Sequence, residues 1–216
     1  MISIQYEDSF LIVVSKPAGV SVHNDSPSLL EWLKAKNKPV NFVNRLDTET
    51  SGLVLVAKDP EIHLELQDSL AEGTKIYRAL LRTGWKNPNK KFNWDLPLSD
   101  KAEGYKNPRG LSKDQKPCHS FGEVVRTNKY FTEVMCQIKT GRQHQIRKHA
   151  SIAKHPVVGD KRYNEDKYNQ NIFKLYNVNR MFLHSEVLQF RYNNKNYEFT
   201  DTSMNLDKFF VETDSL

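Results

Sequence analysis

Short apolar runs alternate with polar turns along the chain, and their lengths predict a mixture of strands and helices. Residues 10–14 and 52–57 predict buried strands, because each is an unbroken apolar run bounded by turn residues. Further strands are predicted at 75–81, 121–125, 131–138, 182–192 and 197–200. Strands that interleave unevenly with helices are typical of an α+β fold. We therefore expect one domain over residues 1–216, with a mixed, largely antiparallel sheet flanked by helices and long loops.

The helices are predicted from their end signals as well as from apolar spacing. Ser28 and Glu31 have the spacing of a capping box, which predicts a helix that continues to about residue 36. Pro60 and Gly73 bracket a second predicted helix at 60–71. The remaining helices are predicted at 143–153, 165–177 and 205–211. Residues 84–118 are rich in Pro, Asn, Lys and Asp and predict a long irregular stretch, which in a compact enzyme is often functional.

Charge is distributed unevenly along the chain. The net charge is +6, but residues 105–162 carry 13 Lys and Arg against four Asp and Glu. The rest of the chain carries 19 basic and 22 acidic residues. A basic segment in an otherwise acidic protein indicates a surface that faces a polyanion, with nucleic acid as the first candidate. The alternative is a solvated, loop-rich face.

Composition excludes several other classes of protein. No apolar run approaches the roughly 18–20 residues that span a bilayer, so we expect no membrane association. Acidic Glu7 and Asp8 stand where a secretory signal has basic residues. Two cysteines are too few for a disulfide scaffold or a four-cysteine zinc site. The expected location is the reducing cytoplasm.

Asp47 is the first candidate for chemistry. It lies in a turn rich in hydroxyl groups (residues 47–51) directly before the predicted strand at 52–57, so its position at the edge of the core can be fixed. Neighbouring arginines would keep the carboxylate ionised and able to act as a nucleophile or base. The alternative is an Asp that caps the turn and pairs with an Arg.

The segment 141–149 is the second candidate. On a helix, His144, Arg147 and Lys148 lie within about one turn and form a cationic face near the helix N-terminus, which suits phosphate or carboxylate. A zinc site built from His144, His149 and His155 is disfavoured, because a five-residue spacing splays two of them around the helix.

Tyr77 is the third candidate, because it lies on a predicted strand beside basic residues. An aromatic ring near a carboxylate and cations can stack on an extruded base. The alternative is ordinary packing, which is the commoner role of a tyrosine in a strand.

These three segments, in this order, resemble the motifs of the pseudouridine synthases that act on large-subunit ribosomal RNA and tRNA. The matching residues are Arg45-Leu46-Asp47 with Thr50-Ser51-Gly52, then Lys75, Tyr77 and Ala79, then Gly141, Arg142, His144, Gln145, Ile146, Arg147 and His149, and finally His155-Pro156, Gly159-Asp160 and Tyr163. The segments Lys16-Pro17-Ala18-Gly19 and Leu183-His184 resemble further family elements. The resemblance spans nearly the whole chain and implies the short form of the family, without an N-terminal RNA-binding module.

The resemblance implies that a uridine in rRNA or tRNA is isomerised to pseudouridine without cofactor or metal. Asp47 would be the catalytic carboxylate, Arg147 would pair with it, and Tyr77 would stack on the flipped uracil. The residues implied in RNA binding are Arg45, Arg142, His144, Gln145 and Lys148. We expect RNA as the partner and a monomeric enzyme.

The sequence departs from the family pattern at three positions. Asn44 stands in place of the usual His, Gln143 in place of Thr or Ser, and Lys148 in place of an apolar residue. The three side chains that the resemblance implies to be catalytic, Asp47, Tyr77 and Arg147, are all present. Two alternatives stay open: a non-catalytic RNA-binding protein on the same fold, and a hydrolase that pairs Asp47 with Asp160 as a second acid.

Overall fold

The computed structural model describes residues 1–87 and 89–211. Its strands are β1 (Ser3–Glu7), β2 (Leu11–Lys16), β3 (Asn41–Phe42), β4 (Ser51–Ala57), β5 (Thr74–Arg82), β6 (Lys91–Trp94), β7 (Leu98–Ser99), β8 (Gln115–Lys116), β9 (Ser120–Thr127), β10 (Phe131–Ile138), β11 (Leu183–Tyr192) and β12 (Lys195–Thr200). The helices are α1 (Leu29–Lys34), α2 (His63–Glu72), α3 (Gln145–Ile152) and α4 (Asp166–Tyr176), with 3₁₀ turns at Ser112–Asp114 and Asp207–Phe209.

The chain forms two compact units. The first contains Met1–Tyr77 and Leu183–Thr202, and the second contains Arg78–Phe182 with the residues from Ser203 onward. Strand β5 crosses from the first unit into the second at Tyr77. Whether these units act as the single catalytic domain that the sequence leads us to expect stays a prediction.

The first unit is a sheet with α2 packed on it. Its strands follow the order β1, β2, β4, β11, with β12 beside β11 and β3 beside β4. The β4–β11 pair is parallel, whereas β2 is antiparallel to β4 and β12 is antiparallel to β11. Every residue of β4 is buried, as its unbroken apolar sequence predicts. Leu66 and Leu70 of α2 join the core residues of this sheet.

The second unit contains the strand order β5, β10, β9, β6, together with α3, α4 and the small β7–β8 pair. Long antiparallel pairing joins β9 to β10, and β6 adds to the other edge of β9. Phe131 and Phe182 pack with Ile172 of α4 and Phe209 in its core. The mixed sheet and the segregated helices confirm the α+β class.

Most predicted elements are confirmed, and the differences have physical causes. The capping box at Ser28 and Glu31 is present. Helix α2 begins at His63 rather than at residue 60. The prediction of an irregular stretch at 84–118 is wrong in part, because β6 lies within it and pairs with β9. That pairing is non-local and leaves only a weak alternation in the four residues of β6. The helix predicted at 205–211 is reduced to the 3₁₀ turn Asp207–Phe209.

Candidate active site

Asp47 lies in the loop that joins β3 to β4 in the first unit. It is half-buried, and its carbonyl accepts a hydrogen bond from the Thr50 N–H at 3.0 Å, which closes a tight turn around it. Strand β4 begins at Ser51, the residue after this turn, and is buried throughout. The carboxylate is therefore carried by a short loop whose far end is fixed in the core.

Lys16 and Gly19 also form hydrogen bonds with the loop that carries Asp47. The Gly19 N–H donates to the Thr48 carbonyl at 2.8 Å, and the Lys16 ammonium donates to that carbonyl at 3.3 Å and to the Val20 carbonyl at 2.6 Å. Lys16 is completely buried, so these carbonyls replace the water that an ammonium requires. The backbone beside Asp47 is thus anchored by a buried cation.

Asn44, which departs from the family pattern, provides a third attachment of this loop. Its side-chain oxygen accepts the Leu55 N–H at 2.7 Å, and its amide donates to the Leu53 carbonyl at 3.3 Å. The side chain therefore makes the two hydrogen bonds with β4 that the backbone of a neighbouring strand would otherwise make. An imidazole cannot make the same amide-like pair of bonds, so Asn44 fixes the start of the Asp47 loop in its own way.

His184 fixes the other end of the loop through Ser51. The His184 Nε2 atom lies 2.7 Å from the Asp201 carbonyl oxygen and therefore carries a proton. Its Nδ1 atom forms a hydrogen bond with the Ser51 hydroxyl at 2.7 Å. All three residues are buried. The Leu183-His184 element thus ties β11 and the segment after β12 to the first residue of β4.

Gly52 is required at its position, and its replacement gives a test of the loop's anchorage. Its φ is +113°, and a Cβ atom there would lie 2.2 Å from the Ser185 carbonyl oxygen. We expect Gly52→Ala to lower the free energy of unfolding by at least about 2 kcal/mol, through left-handed strain and overlap with backbone. Urea unfolding measures this. Gly19→Ala is the matched control, because φ is +86° there but no atom lies within 4 Å. Equal midpoints for the two variants would contradict the expectation.

Tyr77 lies on β5 with only 8% of its surface exposed. The next residue, Arg78, forms an ion pair with the buried carboxylate of Glu133. Successive side chains of a strand point to opposite faces, so this pair lies on the other face of β5 from Tyr77. The low exposure means that a base reaching this ring would contact a small, recessed part of it.

Arg147 forms a buried, bidentate ion pair with Asp160. Its Nε atom lies 2.7 Å from Oδ2 and its Nη2 atom 2.9 Å from Oδ1. The same carboxylate accepts the N–H groups of Arg162 at 2.8 Å and Tyr163 at 3.0 Å. Asp160 is completely buried with both oxygens engaged. This contradicts the hydrolase alternative, which requires Asp160 as an accessible acid.

Lys148 is placed differently from the expectation of an RNA contact. Its side chain is fully buried, and its ammonium donates to the carbonyls of Ser99 and Lys101 and to the Glu103 carboxylate. A charge with these three partners and no exposed surface has nothing to offer a phosphate. Lys148 can be buried because residues 99–103 supply acceptors for its ammonium. The sequence of the helix alone does not reveal these acceptors.

Gln145 also turns inward, and it organises the start of α3. Its side chain donates to the His119 carbonyl at 2.9 Å and accepts from the Arg142 N–H at 3.2 Å. These bonds argue for a positioning role rather than an RNA contact. Among the other residues expected to bind RNA, Arg45 is exposed, whereas Arg142 and His144 are half-buried.

His144 begins α3 in the left-handed conformation, with φ of +55°, and its Nδ1 atom lies 3.0 Å from the Tyr163 hydroxyl. His149 bonds through Nδ1 to Ser120 and through Nε2 to the Leu96 carbonyl, and burial lowers its pKa. Within residues 1–87 and 89–211, no group of three or more His, Cys, Asp and Glu side chains is arranged to hold a metal ion. No helix in the same residues is long and apolar enough to cross a membrane.

The structure therefore places Asp47 on an anchored loop of the first unit and Arg147 in a buried ion pair of the second unit. Asp160 is one partner of Arg147, and the pairing of Arg147 with Asp47 stays a prediction. Sequence reasoning assigned no positioning role to Lys16 or His184, and it considered Asp160 only as the second acid of a hydrolase. The one indication in the sequence was that all three residues lie in segments that resemble family motifs.

The sequence of this chain is similar to those of known RNA pseudouridylate synthases, and its fold is the α+β fold of proteins of that description. The sequence profile described as RNA pseudouridylate synthase matches residues 10–151. Ribosomal large subunit pseudouridine synthase C of Escherichia coli (strain K12) is 34% identical over 196 residues, which cover 87% of this chain. The chain belongs to the RNA pseudouridylate synthase family. It spans 61% of the length of that relative.

Two solved human structures share the fold. Human RNA Pseudouridylate Synthase Domain Containing 1 has a TM-score of 0.72 at 24% identity, covering 93% of this chain and 83% of its own. Human RNA Pseudouridylate Synthase Domain Containing 4 has a TM-score of 0.73 at 20% identity, covering 97% and 90%. These similarities support the α+β assignment.

Proposed function

We propose that this chain is an RNA pseudouridine synthase in which Asp47 is the catalytic carboxylate. The observation that carries the proposal is the family match together with an intact Asp47 on a loop held by Lys16, Asn44 and Ser51. A carboxylate that must act on one sugar or base atom needs such fixed geometry, because a loose loop loses the advantage of orientation.

The reaction is an isomerisation, so its atoms balance without a second substrate. The C1′–N1 glycosidic bond breaks, the uracil rotates, a C1′–C5 bond forms, and the proton on C5 is lost while N1 gains one. Asp47 acts as nucleophile or base at the start of this sequence. The target base is first extruded, which costs a few kcal/mol of stacking and pairing. Tyr77 stacks on the uracil and assists the proton transfer at C5.

The substrate that the comparisons favour is ribosomal RNA. The Escherichia coli relative is named as a large-subunit ribosomal pseudouridine synthase. We propose the same substrate class here, with tRNA as the second, and we place the enzyme with these RNAs in the cytoplasm. A monomeric state stays a prediction.

The direct test is to incubate the purified chain with transcribed large-subunit rRNA or tRNA that carries uridine tritiated at C5. We expect tritium release, and a nucleoside of unchanged mass with shifted chromatographic mobility. A protein that only binds RNA would release no tritium. A hydrolase would give free uracil or a cleaved strand. Mapping pseudouridines in a deletion strain against its parent would then identify the target uridine.

Tyr77→Phe is expected to reduce kcat by about 10- to 100-fold while the Kd for RNA changes less than about twofold. The phenyl ring preserves stacking, whereas the hydroxyl needed for proton transfer is lost. Single-turnover tritium release and a binding titration on the same RNA measure the two effects. An unchanged rate would leave Tyr77 with a stacking role alone. A matched Tyr130→Phe variant, on an exposed tyrosine outside the motifs, should behave like the parent chain.

A further inference from the structure

A loop in the second unit is attached to α3 by the buried ammonium of Lys148. We call residues 99–116 the 99–116 arm. The Lys148 Nζ atom donates to the Ser99 carbonyl at 2.8 Å and to the Glu103 carboxylate at 3.2 Å, as well as to the Lys101 carbonyl. A fully buried ammonium is stable only with such partners, so the first residues of the arm are fixed on the helix.

A second attachment joins the arm to the turn that follows Asp160. The Arg162 guanidinium donates to the Ala102 carbonyl at 2.9 Å, and the Tyr105 N–H donates to the Arg162 carbonyl at 2.9 Å. The arm is therefore held at two places, by α3 and by this turn. Long loops that are anchored in this way present their remaining side chains in a defined arrangement.

The carboxylates of the arm are already neutralised by partners. Asp100 lies 3.0 Å from the Lys116 ammonium, and Asp114 lies 2.8 Å from that of Lys101. The hydrogen bond from Lys116 holds the pKa of Asp100 below its usual value. Burial opposes ionisation of Glu103, but hydrogen bonds from Ser99 and Lys148 outweigh it, so the pKa of Glu103 is also lowered. Each of the three acids therefore has a basic partner within the arm or on α3.

Three cations of the arm stay without a carboxylate partner in the described part of the chain. They are Lys106, Arg109 and Lys113, and all three are exposed. Tyr105 beside them has 52% of its surface exposed. The adjoining turn adds exposed Lys161 and Arg162, which likewise have no carboxylate partner among residues 1–87 and 89–211. Since the local acids are compensated, these charges project a positive potential to solvent.

We propose that the 99–116 arm binds the phosphate backbone of the RNA substrate, through Lys106, Arg109 and Lys113. The inference rests on the proposed function for the choice of RNA as the polyanion. Exposed lysine and arginine side chains on a fixed support bind phosphates by displacing condensed counterions. Lys148 serves this surface indirectly, because it neutralises Glu103 and fixes the arm.

The test is a charge-removal variant with a matched control. In the arm variant, Lys106→Gln, Arg109→Gln and Lys113→Gln are combined. In the control variant, Lys34→Gln, Lys167→Gln and Lys174→Gln remove the same charge from three exposed lysines on α1 and α4. Both sets of residues are exposed, so both variants should fold, and circular dichroism with urea unfolding verifies this. The probe is a fluorescently labelled RNA hairpin of mixed sequence, titrated from 50 to 300 mM salt.

The arm variant should bind the hairpin at least about tenfold more weakly at 100 mM salt, and its slope of log K against log salt should fall by about 2 to 3. The control variant should keep the parent slope within about 0.5. Equal losses in both variants, or no loss in either, would overturn the inference and assign the arm to a solvated surface. Binding is measured without turnover, so a chain that binds RNA through the arm but releases no tritium would refute the proposed function alone.

Discussion

Asp47→Asn is expected to abolish pseudouridine formation, with a loss of at least about a thousandfold in the single-turnover rate. Asparagine keeps the size of the side chain and its ability to accept a hydrogen bond, but it is neither a base nor a nucleophile at neutral pH. The bonds described for Lys16, Asn44 and Ser51 end on backbone atoms or on His184, so this variant keeps their partners. The variant should therefore fold normally and bind RNA with a Kd within about threefold of the parent.

Tritium release from C5-labelled rRNA measures this loss, and urea unfolding shows whether the fold is kept. Glu49→Gln is the matched control, because Glu49 is a half-buried carboxylate two residues away in the same turn. That variant should keep at least about a tenth of the parent rate. Turnover by Asp47→Asn within about tenfold of the parent chain would remove Asp47 from the catalytic role.

Regular elements were predictable because their patterns are local. The apolar run of β4 and the capping box of α1 each contain their own signal, and the structure confirms both. The strand β6 was not predictable, because its pairing with β9 is non-local. Four residues that alternate between polar and aromatic give too little signal against a background of Pro, Asn and Lys.

The candidate site shows the same division between local and non-local information. Motif spacing singles out Asp47, Tyr77 and Arg147, but it does not reveal that Lys16 binds the Asp47 loop or that Asp160 pairs with Arg147. Lys148 shows how a prediction based on charge alone can be wrong. A lysine on a basic helix suggests phosphate binding, whereas the structure buries it against the Ser99 and Lys101 carbonyls, 49 and 47 residues earlier in the chain.

Asp160→Ala is expected to cause a large loss of stability in the second unit. The substitution removes the Asp160 carboxylate that pairs with the buried Arg147 guanidinium, and it deprives the N–H groups of Arg162 and Tyr163 of an acceptor. Removing one partner of a buried ion pair costs about 3–5 kcal/mol in the free energy of unfolding. Urea unfolding should show a correspondingly lower midpoint, and pseudouridine formation should fall with it because Arg147 loses its fixed orientation.

A double-mutant cycle separates the pair from a general packing effect. Arg147→Met combined with Asp160→Asn removes both charges, so the double variant should be more stable than the sum of the two single losses by about 1–3 kcal/mol. Asp207→Ala is the control, because it breaks an ion pair with Arg126 in which the Asp207 side chain is 69% exposed. That variant should show little change in the urea midpoint, since solvent screens an exposed pair. If the two losses at Arg147 and Asp160 simply add, their buried contact is not a coupled ion pair, and Asp160 is not a positioning residue for Arg147.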